Sequence, residues 1–456
     1  MRHPKKKGKI ILKKLSQLLK NQKNLKMSSR NVDVLLIFKN IDILSNRNYT
    51  YFMELLQRND YLQKLKDTIG TPDIKVITGI RRAGKSKLLV LFEDYLRTQN
   101  NTNIIHIDFN LTDFENLAEY HALELYIKER KSDNKQNFVL IDEIQMCSGF
   151  EKAVNSLHAS DLYQIYITGS NAFLLSSDLA TLFTGRTFEI HVFPFSLSEY
   201  MQFFKMKDSY SALDSYIKEG GMPGSYLYKN IEDKYRYISK DVFNALVVRD
   251  ILGKRKIKNT VLLDRLVDFL MDNISNTTSI RNIASCLETT KMTANSKTIG
   301  SYIDYLCASF AFYKILRYDI RGKRYLSSED KYYLADHSFK YARLGTKNMD
   351  WGQMLENIVA IELMRRGYEL YVGKLYQKEI DFVAIKQNEK LYIQVSDYIG
   401  DGQTFEREIN PLLAIKDAYP KILLSRTRQS EYLYEGIRVI DISTWLTSIN
   451  NSQEQL

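Results

Sequence analysis

The chain reads as an α/β protein: a parallel sheet with helices on both faces, then a helical unit, then a second, smaller α/β unit. Three observations predict this. Five short runs rich in β-branched and aromatic residues, IKVIT (74–78), IIHIDF (104–109), FVLID (138–142), QIYIT (164–168) and FEIHVF (188–193), alternate with stretches of helical spacing. After Pro194 the strands stop and helical patterns take over. From Trp351 onward one helix, reaching Arg366, is followed by new strands, EIDFVAI, KLYIQVS, KILLS and IRVIDI.

The N-terminal element, 1–52, carries the whole charge imbalance. Residues 1–30 hold eleven Lys and Arg and no acid, and the remainder balances at 54 basic and 54 acidic residues, so the net +11 belongs to the tail. A nucleic-acid role for the whole chain therefore cannot be argued from its pI. The tail is expected to be a disordered basic extension. Ile11, Leu15, Leu18 and Leu19 also allow a short basic amphipathic helix, and translation from Met27 or Met53 is the third reading. Cys147, Cys286 and Cys307 are too few and scattered for a disulfide framework, and no apolar run approaches the roughly 20 residues of a membrane span; a cytoplasmic location is expected.

The second element, 53–200, contains the chemistry. Its first strand runs into GIRRAGKS, where Gly79, Gly84, Lys85 and Ser86 satisfy G-x-x-x-x-G-K-[ST]. Glycines let successive amides point at phosphate oxygens, and the helix that follows, with Leu88, Leu89, Phe92, Tyr95 and Leu96 on one face, adds its positive end. Gly79, Ile80, Arg81, Arg82, Ala83, Gly84, Lys85, Ser86 and Lys87 are thus the candidate phosphate contacts. Lys85 is placed to reach the β and γ phosphates and Ser86 to ligate Mg²⁺.

FVLIDEIQ ends a strand in Asp142 and Glu143, at the edge where ligands of open α/β sheets bind. Asp142 suits Mg²⁺, and Glu143 suits activation of the attacking water. A fourth strand ends at Thr168, Gly169, Ser170 and Asn171, whose polar side chains are candidates for touching the γ phosphate.

These residues resemble the additional-strand P-loop ATPases, in particular an AAA-type prokaryotic family related to archaeal and signal-transduction ATPases. The resemblance rests on GIRRAGKS, LIDEIQ, ITGSNAFLL, LFTGRTFEIHVFPFSLSEY, GGMPG and VVRDIL, and covers residues 60–445. It implies ATP with Mg²⁺ as ligand and a sensor strand lying in space between the two motif strands. It also implies Arg186 as a finger or sensor for the γ phosphate, acting within its own subunit or a neighbour's, and Gly221 and Pro223 near the adenine or as a plain turn. The implied function is an ATPase coupling ATP binding and hydrolysis to conformational change in its C-terminal domains. A nucleotide switch with little turnover and an ATP-regulated DNA-binding protein or nuclease are the alternatives.

Residues 201–260 are expected as a helical lid and 261–345 as a winged-helix-like unit of three helices and a hairpin turning near Arg321, Gly322 and Lys323. Its third helix offers only Lys297 as a cation, against Arg317, Arg321, Lys323 and Arg324 on the wing, so a nucleic-acid partner, a protein partner and plain internal packing all stay open. Residues 346–456 resemble the PD-(D/E)XK nuclease fold through Glu356 or Glu362, Asp381 and Gln394-Val395-Ser396. Ser396 stands where that pattern has Lys, with Lys374 or Lys378 as displaced substitutes, so an inactive nuclease-like domain is expected.

Overall fold

The computed structural model describes residues 56–169, 183, 185–253, 257–289, 295–322, 324–346 and 350–448, without the side chains of 249, 250, 289 and 324–328. The basic extension, Ser170 and Asn171 lie outside the described residues.

The first sheet is built from β1 (Ile74–Thr78), β2 (Thr102–Asp108), β3 (Gln136–Asp142), β4 (Tyr163–Thr168) and β5 (Thr187–His191), all parallel, in the order β2-β3-β4-β1-β5. Each run expected from the sequence is one of these strands. β4 lies between β1 and β3, the spatial order that the resemblance implied.

Side chains alternate across each strand, so one strand feeds two cores. In β3, Phe138 and Leu140 face the core that holds Leu88, Leu89, Phe92 and Leu96 of α2 (Lys85–Arg97), with α1 (Asn59–Asp67) beside it. Val139 and Ile141 face the opposite core, filled by Leu123 and Ile127 of α3 (Tyr120–Glu129) and Ala153, Val154 and Leu157 of α4 (Phe150–Ala159). Lys75 is fully buried in β1. Its ammonium is satisfied by Thr71 O at 2.7 Å and Gln164 Oε1 at 2.9 Å, and burial holds its pKa down to about 8.

The helical segment begins with α5 (Leu197–Phe204), whose Ser196 and Glu199 form a reciprocal capping box, and continues through α6 (Ser209–Glu219) and α7 (Ile231–Arg236). Two π-helical stretches, Tyr237–Asn244 and Leu246–Leu252, follow. Next come α8 (Thr260–Asp272), α9 (Ile280–Thr289) and α10 (Ser296–Ala308), the three helices expected there.

The expected hairpin, β6 (Phe312–Asp319) and β7 (Arg324–Leu334), forms, but it does not end a separate unit. β6 pairs in parallel with β8 (Glu369–Leu375), so the hairpin is the edge of one eight-stranded mixed sheet. The other strands are β9 (Lys378–Lys386), β10 (Glu389–Ser396), β11 (Lys421–Ser425), β12 (Tyr432–Tyr434) and β13 (Ile437–Asp441), in the order β12-β13-β11-β10-β9-β8-β6-β7. Four helices accompany it: α11 (Ser338–Leu344), α12 (Trp351–Arg365), α13 (Gly402–Leu413) and α14 (Ile442–Thr447). One continuous apolar core runs from Tyr61 on α1 to Leu446 on α14, joining both sheets.

Candidate functional site

β1 ends at Thr78, and the chain turns at Gly79 with φ 127°, a conformation that glycine alone adopts readily. A Cβ there would stand 2.1 Å from Val192 O, because the end of β5 runs directly alongside. The loop closes on α2 through Gly84, also left-handed at φ 101°. Lys85, buried, curls back so that Nζ donates to Gly79 O at 2.7 Å and Ile80 O at 3.0 Å. Arg82 turns outward at φ 63°, exposed, its guanidinium over the Tyr237 ring at 5.1 Å. Arg81 is half-buried and Lys87 exposed.

The carboxylates lie two strands away on the same edge. Asp142 is buried, accepts the Thr168 hydroxyl and shares a hydrogen bond with Ser86; burial, opposed by those two bonds, raises its pKa. Thr168 Oγ1 also accepts the Glu143 amide at 3.2 Å. Glu143 is left-handed at φ 54°, and its carboxylate takes the Gln145 side-chain amide. The structure therefore brings Gly79, Lys85, Ser86, Asp142, Glu143 and Thr168 to the C-terminal edge of β1, β3 and β4.

Three neighbours escaped the sequence reading. Asp108 pairs in register with Asp142 at the end of β2. Gln145 orients Glu143, and Arg58 holds the loop from behind through Ala83 O at 2.9 Å. The repeat of Asp at the ends of IIHIDF and FVLID was the available signal for Asp108; the other two carried none.

Two implied residues are placed elsewhere. Arg186 is exposed and sits at the N-terminal edge, where its carbonyl accepts the Ile74 amide at 2.8 Å. A five-residue strand of about 16 Å separates that edge from the loop, so Arg186 does not reach its own subunit's phosphates. Gly221 is buried, donating its amide to Asp336 Oδ2 at 2.7 Å and accepting from Phe195 N at 2.7 Å, which makes it a packing glycine and not an adenine contact.

The second centre forms around a residue that the sequence did not single out. Lys331 of β7 is buried, with Nζ 2.8 Å from Glu356 Oε1, 2.9 Å from Glu379 Oε1 and 3.5 Å from Asp381 Oδ1. Asp381 also accepts the Val395 amide at 2.9 Å, and Gln394 donates to Glu408 at 3.0 Å. Burial, with the charge of Glu356 beside it, pushes the Asp381 pKa up to about 8. Glu356 is thus the helix carboxylate of this centre, while Glu362 is taken by Arg365 and Arg366. Lys378 bonds Asn410 O at 3.3 Å, and the lysine that stands among these carboxyl groups is Lys331 of β7. On the wing, Arg317 is buried against Glu329 and Arg321 covers Tyr376 at 5.2 Å. Lys323 and the side chain of Arg324 lie outside the described residues. Among those residues, no three His, Cys, Asp or Glu side chains are grouped to hold a metal ion, and no helix is long and apolar enough to cross a membrane.

Residues 71–201 match the AAA domain, and the chain is 38% identical over 400 residues to an uncharacterized protein of Haemophilus influenzae, spanning 86% of this chain and 98% of the relative. The chain belongs to the AAA-type family of P-loop ATPases. A relative in this family, an uncharacterized protein of Methanocaldococcus jannaschii, is 28% identical over 411 residues, 87% of this chain and 89% of its own. Residues 210–350 match a domain of unknown function, DUF8612, which runs from α6 through the β6–β7 hairpin to α11. Among solved structures, a Walker-type ATPase of Pyrococcus abyssi is similar at 15% identity and a TM-score of 0.42, covering 63% of this chain and 95% of that one.

Proposed function

We propose that the protein is a Mg²⁺-dependent ATPase that couples ATP binding and hydrolysis to conformational change in its C-terminal part. The observation that carries this reading is the convergence of Lys85, Ser86, Asp142 and Glu143 on one sheet edge. The residues fit both ligands. Gly79 leaves no room for a side chain at the cradle, and Lys85 rests on neutral carbonyls that an anionic phosphate outcompetes as acceptor. Ser86 and Asp142, already hydrogen-bonded together, form the oxygen pair that a hard cation requires. Bound Mg²⁺ neutralises charge on the transferring phosphoryl group.

In this reading Lys85 and the amides of 79–86 hold the phosphates, while Ser86 and Asp142 hold the cation. Glu143 takes the proton of the attacking water, with Gln145 fixing its carboxylate. Ser170 and Asn171 serve at the γ phosphate, and Arg186, from the opposite edge, serves a neighbouring subunit in an oligomer. Coupling is supported by contacts between the sheets: His191 Nε2 lies 2.7 Å from Tyr313 OH, and Arg365 donates to Pro194 O at 2.8 Å.

The test is ATP binding and turnover by the wild type and Glu143→Gln, across protein concentration and with DNA present or absent. Glu143→Gln is expected to keep ATP affinity and to lose turnover by about 10²- to 10⁴-fold. Cooperative dependence on protein concentration supports the oligomer, and stimulation by DNA identifies a nucleic-acid partner. Wild-type binding without turnover under every condition leaves the switch as the function.

A further inference from the structure

We infer that Arg58 is a positioning residue for the phosphate loop, setting the orientation of the peptide that opens α2. The inference rests on the nucleotide-binding reading above. Arg58 precedes every motif in the chain and belongs to none of them.

Its side chain is 4% exposed and joins three elements. One terminal nitrogen donates to Ala83 O at 2.9 Å and the other to Phe193 O at 2.9 Å. Nε and that second nitrogen also fork onto Glu199 at 2.6 and 3.0 Å. The guanidinium lies 4.5 Å from the Tyr61 ring and 5.1 Å from the Phe195 ring. The Arg58 carbonyl in turn accepts the Tyr61 and Leu62 amides at 3.0 Å each, which ties the residue to α1.

The consequence follows from peptide geometry. In a trans peptide the C=O and the N–H point in opposite directions. Pinning Ala83 O against the guanidinium therefore turns the Gly84 N–H to the other side of the loop, away from Arg58. The loop needs such a hold, because Arg82 and Gly84 are both in the left-handed region, at 63° and 101°. Lysine cannot replace the fork, since a single ammonium does not span the three acceptors with this planar geometry. Glu199 keeps the buried guanidinium neutralised and is itself fixed by the capping box of α5. From the far side Arg365 of α12 donates to Pro194 O at 2.8 Å, next to the carbonyl that Arg58 holds. The anchor is thereby braced by the C-terminal part of the chain.

The experiment compares wild type, Arg58→Ala, Arg58→Lys and Glu199→Gln, with Lys85→Ala as reference for a disabled nucleotide site. Three quantities are read: deuterium exchange of the 79–86 peptide in nucleotide-free protein, the Kd for ATP, and kcat and KM separately. Arg58→Ala is expected to speed loop exchange and to weaken ATP binding, each by about tenfold, with KM moving more than kcat. Arg58→Lys should recover less than half of the loss. Glu199→Gln leaves the guanidinium in place and carries the test if Arg58→Ala does not fold. Unchanged loop exchange and ATP affinity in the folded variants overturn the inference. Faster loop exchange in a protein whose wild type binds no ATP overturns the nucleotide reading and upholds the anchor.

Discussion

Lys331 and Glu356 meet at 2.8 Å inside the second sheet, an ammonium from β7 against a carboxylate from α12. Glu379 and Asp381 close around the same nitrogen, so its three protons face three carboxylates. The lysine thus fills the middle of the centre, and the pairing keeps its own pKa above the ordinary range despite burial. Removing it leaves the buried Glu356 carboxyl without its cation, beside an Asp381 that burial already holds toward its protonated form. Lys331→Met is expected to lower unfolding stability by about 3–5 kcal/mol at neutral pH. Denaturant unfolding checks this, and adding Glu356→Gln to Lys331→Met should restore part of the loss.

The same closure predicts no phosphodiester cleavage. Supercoiled and branched DNA incubated with the protein and Mg²⁺ or Mn²⁺ is expected to stay intact. Cleavage that disappears with Asp381→Ala would overturn this.

Gly79→Ala separates the loop's geometry from its charge. The added Cβ would lie 2.1 Å from Val192 O, a backbone atom held in place by Val192 N donating to Thr78 O at 2.9 Å. With φ at 127° the residue is also strained by any side chain, a cost of about 1–3 kcal/mol before the clash is counted. Loss of ATP binding together with a lowered melting temperature is expected, whereas Lys85→Ala should lose binding with a smaller change in melting temperature.

The first sheet was legible because both faces are buried. β1, β3 and β4 are near-continuous apolar runs, and all five runs stand as strands; of their order, only the place of β4 between β1 and β3 was implied, and that by the resemblance. The loop residues were legible from spacing, since glycine, lysine and serine are needed there for separate physical reasons. What the sequence did not disclose depends on long-range pairing. Lys331 lies in a tyrosine-rich strand with no pattern of its own, 25 residues before Glu356, and Arg58 lies 141 residues from Glu199. The hairpin 312–334 looked self-contained, because nothing local announces that β6 pairs in parallel with β8. Whether Arg186 acts within its own subunit or a neighbour's was left open for a related reason: a motif fixes neighbours in sequence, but the direction of β5 decides which edge they occupy.

Gln145 is a second place where function and packing separate. Its Nε2 donates to Glu143, while its Oε1 is buried with no partner among the described residues. Gln145→Ala removes the side-chain amide that Glu143 accepts and, with it, a buried oxygen unsatisfied among the described residues. The expected result is a kcat lowered by about tenfold at unchanged ATP affinity and undiminished thermal stability, measured by steady-state kinetics and melting.

Acid sensitivity should trace to Glu93. This carboxyl on α2 is buried, with Oε2 2.6 Å from His106 Nδ1 and Oε1 3.2 Å from Arg97 Nε. Burial alone would raise its pKa, but the bonds and charges of His106 and Arg97 prevail and bring it from 4.5 down to about 2. A carboxyl depressed in the folded state binds fewer protons there than in the unfolded chain. Its stabilisation is complete above about pH 4.5 and is lost as pH falls toward 2. Urea midpoints measured through that window should decline in the wild type, and the decline should be shallower in Glu93→Gln. Because α2 opens at the phosphate loop, ATP affinity should weaken over the same interval in the wild type, and parallel slopes in the two proteins would remove Glu93 as the cause.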